Sequence, residues 1–487
     1  MSSTHKNIVL FPYMAQGHII PFLALANLLQ QRENYTITIV STPLNIQKIK
    51  LSLPSNTPFR FLSIPFSGFN YGLPPGVENT DSIPYNLLPN LLEASISLKP
   101  HFRNLISSLF SDQNGLLRPI CIIADMFFGW SAEIANEFGI FLALFVSGGG
   151  FGFGCYYSLF LNLPHRSSNS DEFTFPDFPE ASTFHVTQVV EILRKADGSE
   201  KFVRFLQEEL SQWGKADGIL FNTVEELDKT GLDYFRRKLG RKIWAIGPVL
   251  RSGKEVGIKS EMCLKWLDSK PAKSVLFISF GSQNTIAASQ MMEFAIALER
   301  SKKNFIWVVR PPVGFDINGE FNAGEWLPEG FEKKIREMDN RGLLVQKWAP
   351  QVEILSHEAC SCFLSHCGWN SVLEAFIHGV PILGWPLAAE QFYNSRLLEE
   401  ELGVCVEIAR GKSCEIRHED MVENIELVMG ETEKGREMRR RCCEIKEMIK
   451  NAIKDDEKGF KGSSVSAMDE FLNASLSKSE KLGLTQE

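Results

Sequence analysis

Residues 348–391 contain three places where a strand-like run ends in a polar turn that leads into a helical pattern. The runs GLLVQKW, CFLSH and PILGWP lead to turns at Trp348, His366 and Pro386. In open α/β sheets, ligands bind outside the carboxyl ends of the strands, where loops lead into helices. Three such loops in one short block therefore predict a single shared ligand pocket.

The loop at His366 has the features of an anion site. The junction between strand and helix consists of His366, Cys367, Gly368, Trp369, Asn370 and Ser371. Backbone N–H groups and the helix dipole at such a junction bind anions. A second interpretation stays open, because Ser371 and Glu374 have the spacing of a capping box, which would use both side chains to start the helix. The turn FGSQN, which contains Ser282, is another N–H-rich loop after a strand.

Trp348 stands at the end of its strand beside Ala349, Pro350 and Gln351. An indole in this place can stack on a flat base while the neighbouring backbone bonds the edge of that base. It can equally be a core tryptophan that covers the end of the strand. The residues of this loop alone do not separate the two interpretations.

His18 and Asp125 are the candidate catalytic pair. His18 follows the strand NIVLFPY at the turn into a helix that we expect to begin near Ile20 and Pro21, since proline is favoured in a first helical turn. An imidazole with a pKa near 6.5 suits a general base at neutral pH. A histidine in this place can also be a simple cap or surface residue. Asp125, which closes the strand CIIAD, favours catalysis because a carboxylate on the far ring nitrogen would fix the tautomer.

The block from Trp348 to Gln391 resembles the signature of plant UDP-dependent glycosyltransferases of secondary metabolism over all of its length, with HCGWNS, VLEA, GVPILGWP and EQ as its specific parts. The resemblance implies the two-domain GT-B fold. It also implies transfer of a sugar from a UDP-sugar to a small lipophilic acceptor, with inversion at the anomeric carbon and without a metal.

The resemblance also assigns roles to single residues. It places the uracil on Trp348 and the backbone at Ala349, the ribose on Gln351 and Glu374, and the sugar hydroxyls on Glu390 and Gln391. Many family members carry Asp where this chain has Glu390, and Gln in the last position goes with glucose. The family's catalytic His and Asp fall on His18 and Asp125. The resemblance places His366, Asn370 and Ser371 at the diphosphate, and the turn with Ser282 is aimed at the same phosphates. Trp369 is a further candidate for binding the donor.

Size and composition set the class of protein. A chain of 487 residues is long enough for two or three domains, and a net charge of −8 argues against nucleic acid as a partner. The N-terminus lacks the pattern of a signal peptide. Residues 138–163 are uncharged but interrupted by glycines, so a buried strand, a turn and a core helix fit better than a membrane span. We therefore expect a cytosolic protein whose ten cysteines are reduced.

One cluster of cysteine and histidine residues raises the question of zinc. Structural zinc sites usually pair one close set of ligands with a distant second set, which this cluster lacks. Alternate cysteines on a strand share one buried face, so we interpret them as core residues and expect no metal and no cofactor. The cluster comprises His357, Cys360, Cys362, His366 and Cys367.

Strand and helix patterns alternate in both halves of the chain, which predicts two Rossmann-like parallel-sheet domains of the α/β class that face a cleft. We expect the acceptor domain in residues 1–245, a linker in 246–270 and the donor domain in 271–455. A C-terminal helix in 456–475, packed against the first domain, and a disordered tail in 476–487 complete the prediction. The glycines at 148–154 do not have GxGxxG spacing, which counts against a nicotinamide enzyme.

The sequence thus predicts a monomeric, inverting UDP-glycosyltransferase that transfers glucose to a hydroxyl of a flavonoid, another phenolic or a terpenoid. Use of another UDP-sugar is the alternative within the class. A nucleotide-sugar-binding protein without catalysis would keep the 348–391 block and lose His18 or Asp125, and both residues are present.

Overall fold

The computed structural model describes residues 6–32, 35–111, 118–250, 258–338 and 340–481. The chain forms two compact units. The first comprises Met1–Thr183, Lys195–Arg251 and Ala452–Glu487, and the second comprises Phe184–Arg194 and Ser252–Asn451. Each unit contains one large parallel β-sheet with helices packed on it.

The strands are β1 Lys6–Phe11, β2 Tyr35–Ser41, β3 Arg60–Ser63, β4 Pro119–Asp125, β5 Phe141–Val146, β6 Glu172–Thr174, β7 Thr183–His185, β8 Gly218–Phe221, β9 Lys242–Ala245, β10 Val275–Ser279, β11 Asn304–Val309, β12 Gly342–Gln346, β13 Cys360–Ser365, β14 Ile382–Gly384 and β15 Cys405–Glu407. The helices are α1 Gln16–Gln30, α2 Pro43–Ser52, α3 Leu88–Ala94, α4 Leu98–Phe110, α5 Ser131–Glu137, α6 Gly150–Asn162, α7 Glu191–Arg194, α8 Lys201–Ser211, α9 Lys229–Leu239, α10 Ile258–Asp268, α11 Ala288–Ser301, α12 Ala323–Trp326, α13 Phe331–Lys333, α14 Gln351–Ser356, α15 Trp369–His378, α16 Gln391–Arg396, α17 His418–Met429, α18 Glu433–Ala452 and α19 Ser463–Lys481.

The sheet of the first unit has seven parallel strands in the order β3-β2-β1-β4-β5-β8-β9. Its strands are rich in Ile, Val, Leu and Phe and are mostly buried on both faces, as expected for a parallel sheet covered by helices. The core joins this sheet to α1 and to α19, which contributes Met468, Phe471 and Leu472. The C-terminal helix therefore belongs to the first unit.

The sheet of the second unit has six parallel strands in the order β12-β11-β10-β13-β14-β15. The main core lies between one face of this sheet and the helices α11 and α17. Helices α14 and α15 pack against each other and contribute no residue to that core.

In both sheets the strand order reverses direction at one place, between β1 and β4 in the first unit and between β10 and β13 in the second. Ligands of doubly wound sheets bind at the carboxyl ends of the strands beside such a reversal. His18 and Asp125 follow or close the pair β1 and β4, and Ser282 and His366 follow the pair β10 and β13. The topology therefore brings the predicted site residues to these two places.

Three details of the sequence prediction were wrong. Helix α1 begins at Gln16 and not near Ile20, because Pro21 lies inside the helix, where its missing N–H removes only the bond to the carbonyl of Gly17. Residues 246–250 are not part of a linker: Ile246 and Val249 are buried in the core of the first unit. Helix α19 runs to Lys481, so residues 476–481 are not a disordered tail. The predicted tail beyond 481, and residues 251–257 of the predicted linker, lie outside the described residues.

The apolar stretch 138–163 forms the buried strand β5 and the buried helix α6, as predicted. Within the described ranges, no helix is both long enough and apolar enough to span a bilayer.

Candidate functional site

His18 and Asp125 are in direct contact in the first unit. Asp125 is the last residue of β4 and is fully buried, and its Oδ2 lies 2.8 Å from Nδ1 of His18. His18 lies in the first turn of α1, and 17% of its side chain is exposed. The other carboxylate oxygen, Oδ1, accepts a hydrogen bond from the backbone N–H of Phe127 at 3.1 Å. The aspartate is thus held at both oxygens, and one of them orients the imidazole.

Aromatic rings surround the histidine. The rings of Tyr13 and Phe127 have their centroids 5.6 Å and 5.4 Å from that of His18. Burial raises the pKa of the Tyr13 phenol, and the charge of Asp125 raises it further, so this phenol is neutral at physiological pH. An imidazole in such apolar surroundings, with a buried carboxylate on one nitrogen, is suited to accept a proton on its other nitrogen.

Two residues of the segment 209–213 hold the loop that follows Asp125. Trp213 donates a hydrogen bond from Nε1 to the carbonyl of Met126 at 2.9 Å. Glu209 is only 2% exposed, and its Oε2 accepts from the backbone N–H of Trp130 at 3.1 Å. Burial raises the pKa of Glu209 to about 7. Sequence reasoning missed both residues, because a glutamate within an amphipathic helix such as KFVRFLQEELS gives no sign that it is buried.

In the second unit, the capping-box interpretation of Ser371 and Glu374 was wrong. Helix α15 begins at Trp369 with Gly368 as its N-cap, so both residues lie within the helix. The two side chains instead contact Gln351, the first residue of α14. The Nε2 of Gln351 donates to Ser371 Oγ at 2.9 Å and to Glu374 Oε2 at 2.6 Å. The structure therefore gathers three of the predicted ligand residues into one polar cluster.

His366 follows β13 and is 9% exposed. Its Nδ1 has no hydrogen-bond partner among the described residues. Burial lowers the pKa of His366 to about 4, so the imidazole is neutral at pH 7. The resemblance places this side chain at the diphosphate. A neutral imidazole can donate or accept a hydrogen bond, but it brings no positive charge.

Two glycines make room for the His366 ring. A Cβ atom would lie 2.8 Å from its Nε2 if built on Gly281 and 2.5 Å if built on Gly368. Gly281 also has φ +79°, a backbone conformation that residues other than glycine rarely adopt. Cys367, which precedes Gly368, adopts the left-handed conformation with φ +62°. Its carbonyl accepts from Nδ2 of the buried Asn394 at 3.0 Å, which stabilises the loop.

The two tryptophans of the signature lie in opposite environments. Trp348 is 43% exposed, so the interpretation of it as a core residue was wrong and its indole face is accessible. Trp369 is 2% exposed, so its side chain belongs to the interior. At the first position of α15, Trp369 can offer a ligand only its backbone N–H. Ala349 is 4% exposed and can likewise contribute only its backbone.

The remaining predicted residues are partly exposed, apart from Gln391. Oε1 of Gln391 accepts from the backbone N–H groups of Leu387 at 3.0 Å and Ala388 at 2.9 Å, which leaves the amide N–H group for a ligand. Glu390 precedes α16 and is half-buried. Asn370 is the second residue of α15, and Ser282 lies in the loop after β10, six residues before α11.

The cysteines of the proposed zinc alternative are core residues of β13 and of the loop after it. Cys360 and Cys362 are buried, and burial raises the pKa of the Cys360 thiol to about 12. Across the part of the chain that the structure describes, no three His, Cys, Asp or Glu side chains come close enough to hold a metal ion.

Comparison with known proteins gives the same two-part division. The family model described as "Glycosyltransferase, N-terminal domain" matches residues 5–251, and the model described as "UDP-glucoronosyl and UDP-glucosyl transferase" matches residues 254–439. Among curated relatives, UDP-glycosyltransferase 92A1 of Arabidopsis thaliana is 48% identical over 97% of both chains. Crocetin glucosyltransferase 3 of Crocus sativus is 41% identical over 88% of this chain and 92% of its own.

Solved structures match over almost the whole chain as well. UGT73P12 of Glycyrrhiza uralensis, complexed with glycyrrhetinic acid 3-O-monoglucuronide, superposes with a TM-score of 0.81 at 30% identity and covers 98% of this chain and 97% of its own. UGT71G1 of Medicago truncatula, complexed with UDP-glucose, has a TM-score of 0.76 at 26% identity and covers 97% of this chain and 99% of its own. The expected α/β fold of the GT-B type is confirmed.

Proposed function

The chain belongs to the plant UDP-glycosyltransferase family, and from this premise we propose that it transfers glucose from UDP-glucose to a hydroxyl of a small lipophilic metabolite, with inversion and without a metal. The first unit binds the acceptor and the second unit binds the donor. The reaction takes place in the cytosol and needs a single chain. The ten free cysteines support a reducing compartment.

The observation that carries this proposal is the contact between His18 and Asp125 at 2.8 Å. With Nδ1–H donated to the carboxylate, the imidazole presents the lone pair of Nε2 to the acceptor hydroxyl. Nε2 takes the proton while the hydroxyl oxygen forms a bond to the anomeric carbon. The bond between that carbon and the phosphate oxygen breaks, and UDP leaves with the electron pair. Asp125 stabilises the imidazolium that results.

Inversion follows from this sequence of events. The acceptor oxygen displaces UDP in a single step, so the new bond forms on the face opposite the leaving group. A retaining route by double displacement would need a covalent intermediate on a side-chain nucleophile and a second displacement. His18 acts as a base for the acceptor in our proposal and is bonded through Nδ1 in the way a general base is held.

On the donor side, the second unit offers one group for each part of UDP-glucose. The exposed indole of Trp348 stacks on the uracil, and the cluster of Gln351, Ser371 and Glu374 binds the ribose hydroxyls and the adjacent phosphate. The N-terminus of α15 and neutral His366 donate hydrogen bonds to the diphosphate. Glu390 and the amide of Gln391 bind the sugar hydroxyls.

Glucose and a small acceptor are supported by the names of relatives. Crocetin glucosyltransferase 3 and the scopoletin glucosyltransferase of Nicotiana tabacum, which is 35% identical over 93% of this chain, are both named for glucose transfer to small metabolites. The residue Gln391, at the last position of the signature, agrees with the same sugar. Flavonoid, other phenolic and terpenoid acceptors are the classes we propose.

The test is an assay of UDP release with a panel of UDP-sugars and lipophilic hydroxyl acceptors, with product mass and anomeric configuration determined by NMR. We expect acceptor-dependent UDP release, UDP-glucose as the preferred donor and a β-glucoside from the α-linked donor. An α-glucoside would contradict inversion, and preference for another UDP-sugar would contradict the assignment of glucose. Binding of UDP-sugars without turnover of any acceptor would contradict catalysis.

A further inference from the structure

Arg310 is a buried arginine with no charged or hydrogen-bonding partner in the described parts of the chain. It is 9% exposed, and its Nε finds no acceptor there. Burial lowers the pKa of its guanidinium, and no acidic side chain acts in the opposite direction. A buried charge is normally paired, because removing it from water without a partner costs several kcal/mol. We therefore expect this arginine to pair with an anion that the protein itself does not supply.

The position of Arg310 points to the donor. It follows β11 directly, at the carboxyl end of a central strand of the second sheet. Ile278 of β10 is paired with Trp307 of β11, and three residues further along the chain, just beyond the ends of the two strands, lie Gly281 and Arg310. A Cβ on Gly281 would touch the His366 ring, so the end of β11 lies next to the pair of loops that we assign to the diphosphate.

On its other side, β11 neighbours the loop that carries Trp348. Val309 is paired with Gln346 at the end of β12, and the N–H of Lys347 donates to the carbonyl of Val309 at 3.0 Å. Arg310 thus stands between the strand end that leads to Trp348 and the strand end beside His366. This is the interval that a nucleotide spans between its base and its phosphates.

The face of the sheet also agrees. Trp307 and Val309 belong to the core on the side of α11 and α17, whereas Val308 does not. Because side chains alternate along a strand, Arg310 continues the face of Val308, which is opposite that core. Helices α14 and α15, which carry Gln351, Ser371 and Glu374, contribute nothing to that core and pack against each other.

We propose that Arg310 binds the diphosphate of the nucleotide-sugar donor and supplies the positive charge that His366 does not provide. The inference rests on the proposed function and adds to it a residue outside the signature block. A guanidinium suits this task because it keeps its charge when buried and donates two parallel hydrogen bonds to phosphate oxygens. In the free enzyme the charge is unpaired, and the donor satisfies it on binding.

The test compares UDP with uridine, which has the same base and ribose but no phosphate. The variant Arg310→Met removes the charge and keeps a side chain of similar length. Arg310→Lys keeps the charge but lacks the planar guanidinium that can donate two parallel hydrogen bonds. Lys303→Met is the matched control, since Lys303 precedes the same strand at its amino end and pairs with Glu426 at 2.7 Å. Dissociation constants are measured by calorimetry, and melting temperatures are measured without ligand.

We expect Arg310→Met to weaken UDP binding by about 10-fold or more, in line with a hydrogen bond to a charged group. Uridine binding changes by less than about 2-fold, and the ligand-free melting temperature stays level or rises because an unpaired buried charge is removed. The UDP affinity of Arg310→Lys lies between that of the wild type and that of Arg310→Met. Lys303→Met binds UDP with the affinity of the wild type. Equal losses for UDP and uridine, or unchanged UDP affinity in a folded Arg310→Met protein, would overturn the inference.

If Arg310→Met does not fold, Arg310→Lys decides. Loss of UDP affinity with uridine affinity retained supports the inference, because lysine is a poor replacement at a bidentate site. Because lysine keeps the charge, the neutral variant Arg310→Gln completes the decision: unchanged UDP affinity in a folded Arg310→Gln protein would overturn the inference. A wild-type protein that binds neither UDP nor UDP-glucose would instead refute the proposed function itself, so the two failures are distinguishable.

Discussion

Oδ2 of Asp125 lies 2.8 Å from Nδ1 of His18, and the aspartate is fully buried while the histidine is partly exposed. The carboxylate thus has no route to a substrate except through the imidazole. In the proposed reaction the pair acts as one unit, in which the aspartate sets the tautomer and the histidine accepts the proton.

His18→Ala is expected to lower kcat by about 100-fold or more, the usual contribution of general base catalysis, and to leave the affinity for UDP unchanged. Asp125→Asn should reduce kcat to a similar extent. The double variant should be little worse than either single one, because residues that act as a unit are not additive. Steady-state kinetics and UDP titration measure these effects. A folded His18→Ala protein with near-normal kcat would exclude His18 from catalysis.

Glu209 gives the stability of the enzyme a particular pH dependence. Its pKa of about 7 in the folded protein is above the ordinary value of 4.5, so the folded state binds a proton more tightly than the unfolded state. The stabilisation is complete below pH 4.5 and is lost as the pH rises through 7. Over that range the group lowers the free energy of unfolding by about 3 kcal/mol.

Glu209→Gln should remove this loss, since the amide oxygen can still accept from Trp130 and carries no charge. Thermal unfolding is measured at a series of pH values. The melting temperature of the variant is expected to rise relative to that of the wild type between pH 5 and 8. Glu172→Gln, a change in an exposed carboxylate elsewhere in the first unit, serves as the control. If the melting temperatures of wild type and Glu209→Gln change with pH in the same way, the pKa of the Glu209 carboxyl is not raised.

The two parallel sheets could be predicted from the sequence, because alternating apolar runs and helical patterns are local signals. The order of the strands within each sheet, with its reversal, depends on long-range pairing and came only from the structure. The start of α1 could not, because Pro21 is a helix-start signal that a helix can also accommodate in its second turn. The spacing of Ser371 and Glu374 was likewise ambiguous. A capping box and one face of a helix give similar spacings, and only the contact with Gln351 separates them.

The environment of individual residues was the least predictable part. Trp348 and Trp369 are both tryptophans of the signature that lie near the start of a helix, yet Trp348 is exposed and Trp369 is buried. His366 is neutral at pH 7, and the pKa of Glu209 is raised to about 7, because both side chains are buried. Arg310 lies outside the signature, and its burial, the unpartnered Nε and the place at the end of β11 are features that only the structure shows.

Glu374→Gln tests the polar cluster of the donor site. A neutral amide replaces a charge-assisted acceptor, and such bonds are roughly twice as strong as neutral ones, so the KM for UDP-glucose should rise by about 10-fold. The acceptor KM and the melting temperature should change little, because Gln351 still has an oxygen to donate to. Glu358→Gln, at an exposed position after α14, is the control. A fall in melting temperature with an unaltered donor KM would assign Glu374 a structural role alone.

His366 should stay neutral when UDP-glucose binds near pH 7. Its pKa of about 4 in the free protein would have to rise by three units for a proton to be taken up, and a diphosphate already paired with a cation does not supply that. Calorimetry in two buffers of different ionisation enthalpy counts the protons, with UDP-glucose as ligand because its diphosphate does not titrate in this range. We expect no proton uptake. Uptake of close to one proton, absent in His366→Gln, would show that the histidine becomes the cation of the site.

Activity should persist in EDTA. In the proposals above, the negative charge on departing UDP is balanced by Arg310, by the N-terminus of α15 and by one hydrogen bond from neutral His366, so the reaction needs no divalent ion. The rate of glucoside formation is compared before and after dialysis against chelator, and again after Mg²⁺ or Zn²⁺ is returned. Equal rates are expected throughout. Because chelation can also remove a purely structural ion, the decisive contrary result is a fall in kcat at unchanged melting temperature that Mg²⁺ reverses. In that case the charge on UDP is balanced by a metal ion, and Arg310→Met should then lose little affinity in the presence of Mg²⁺.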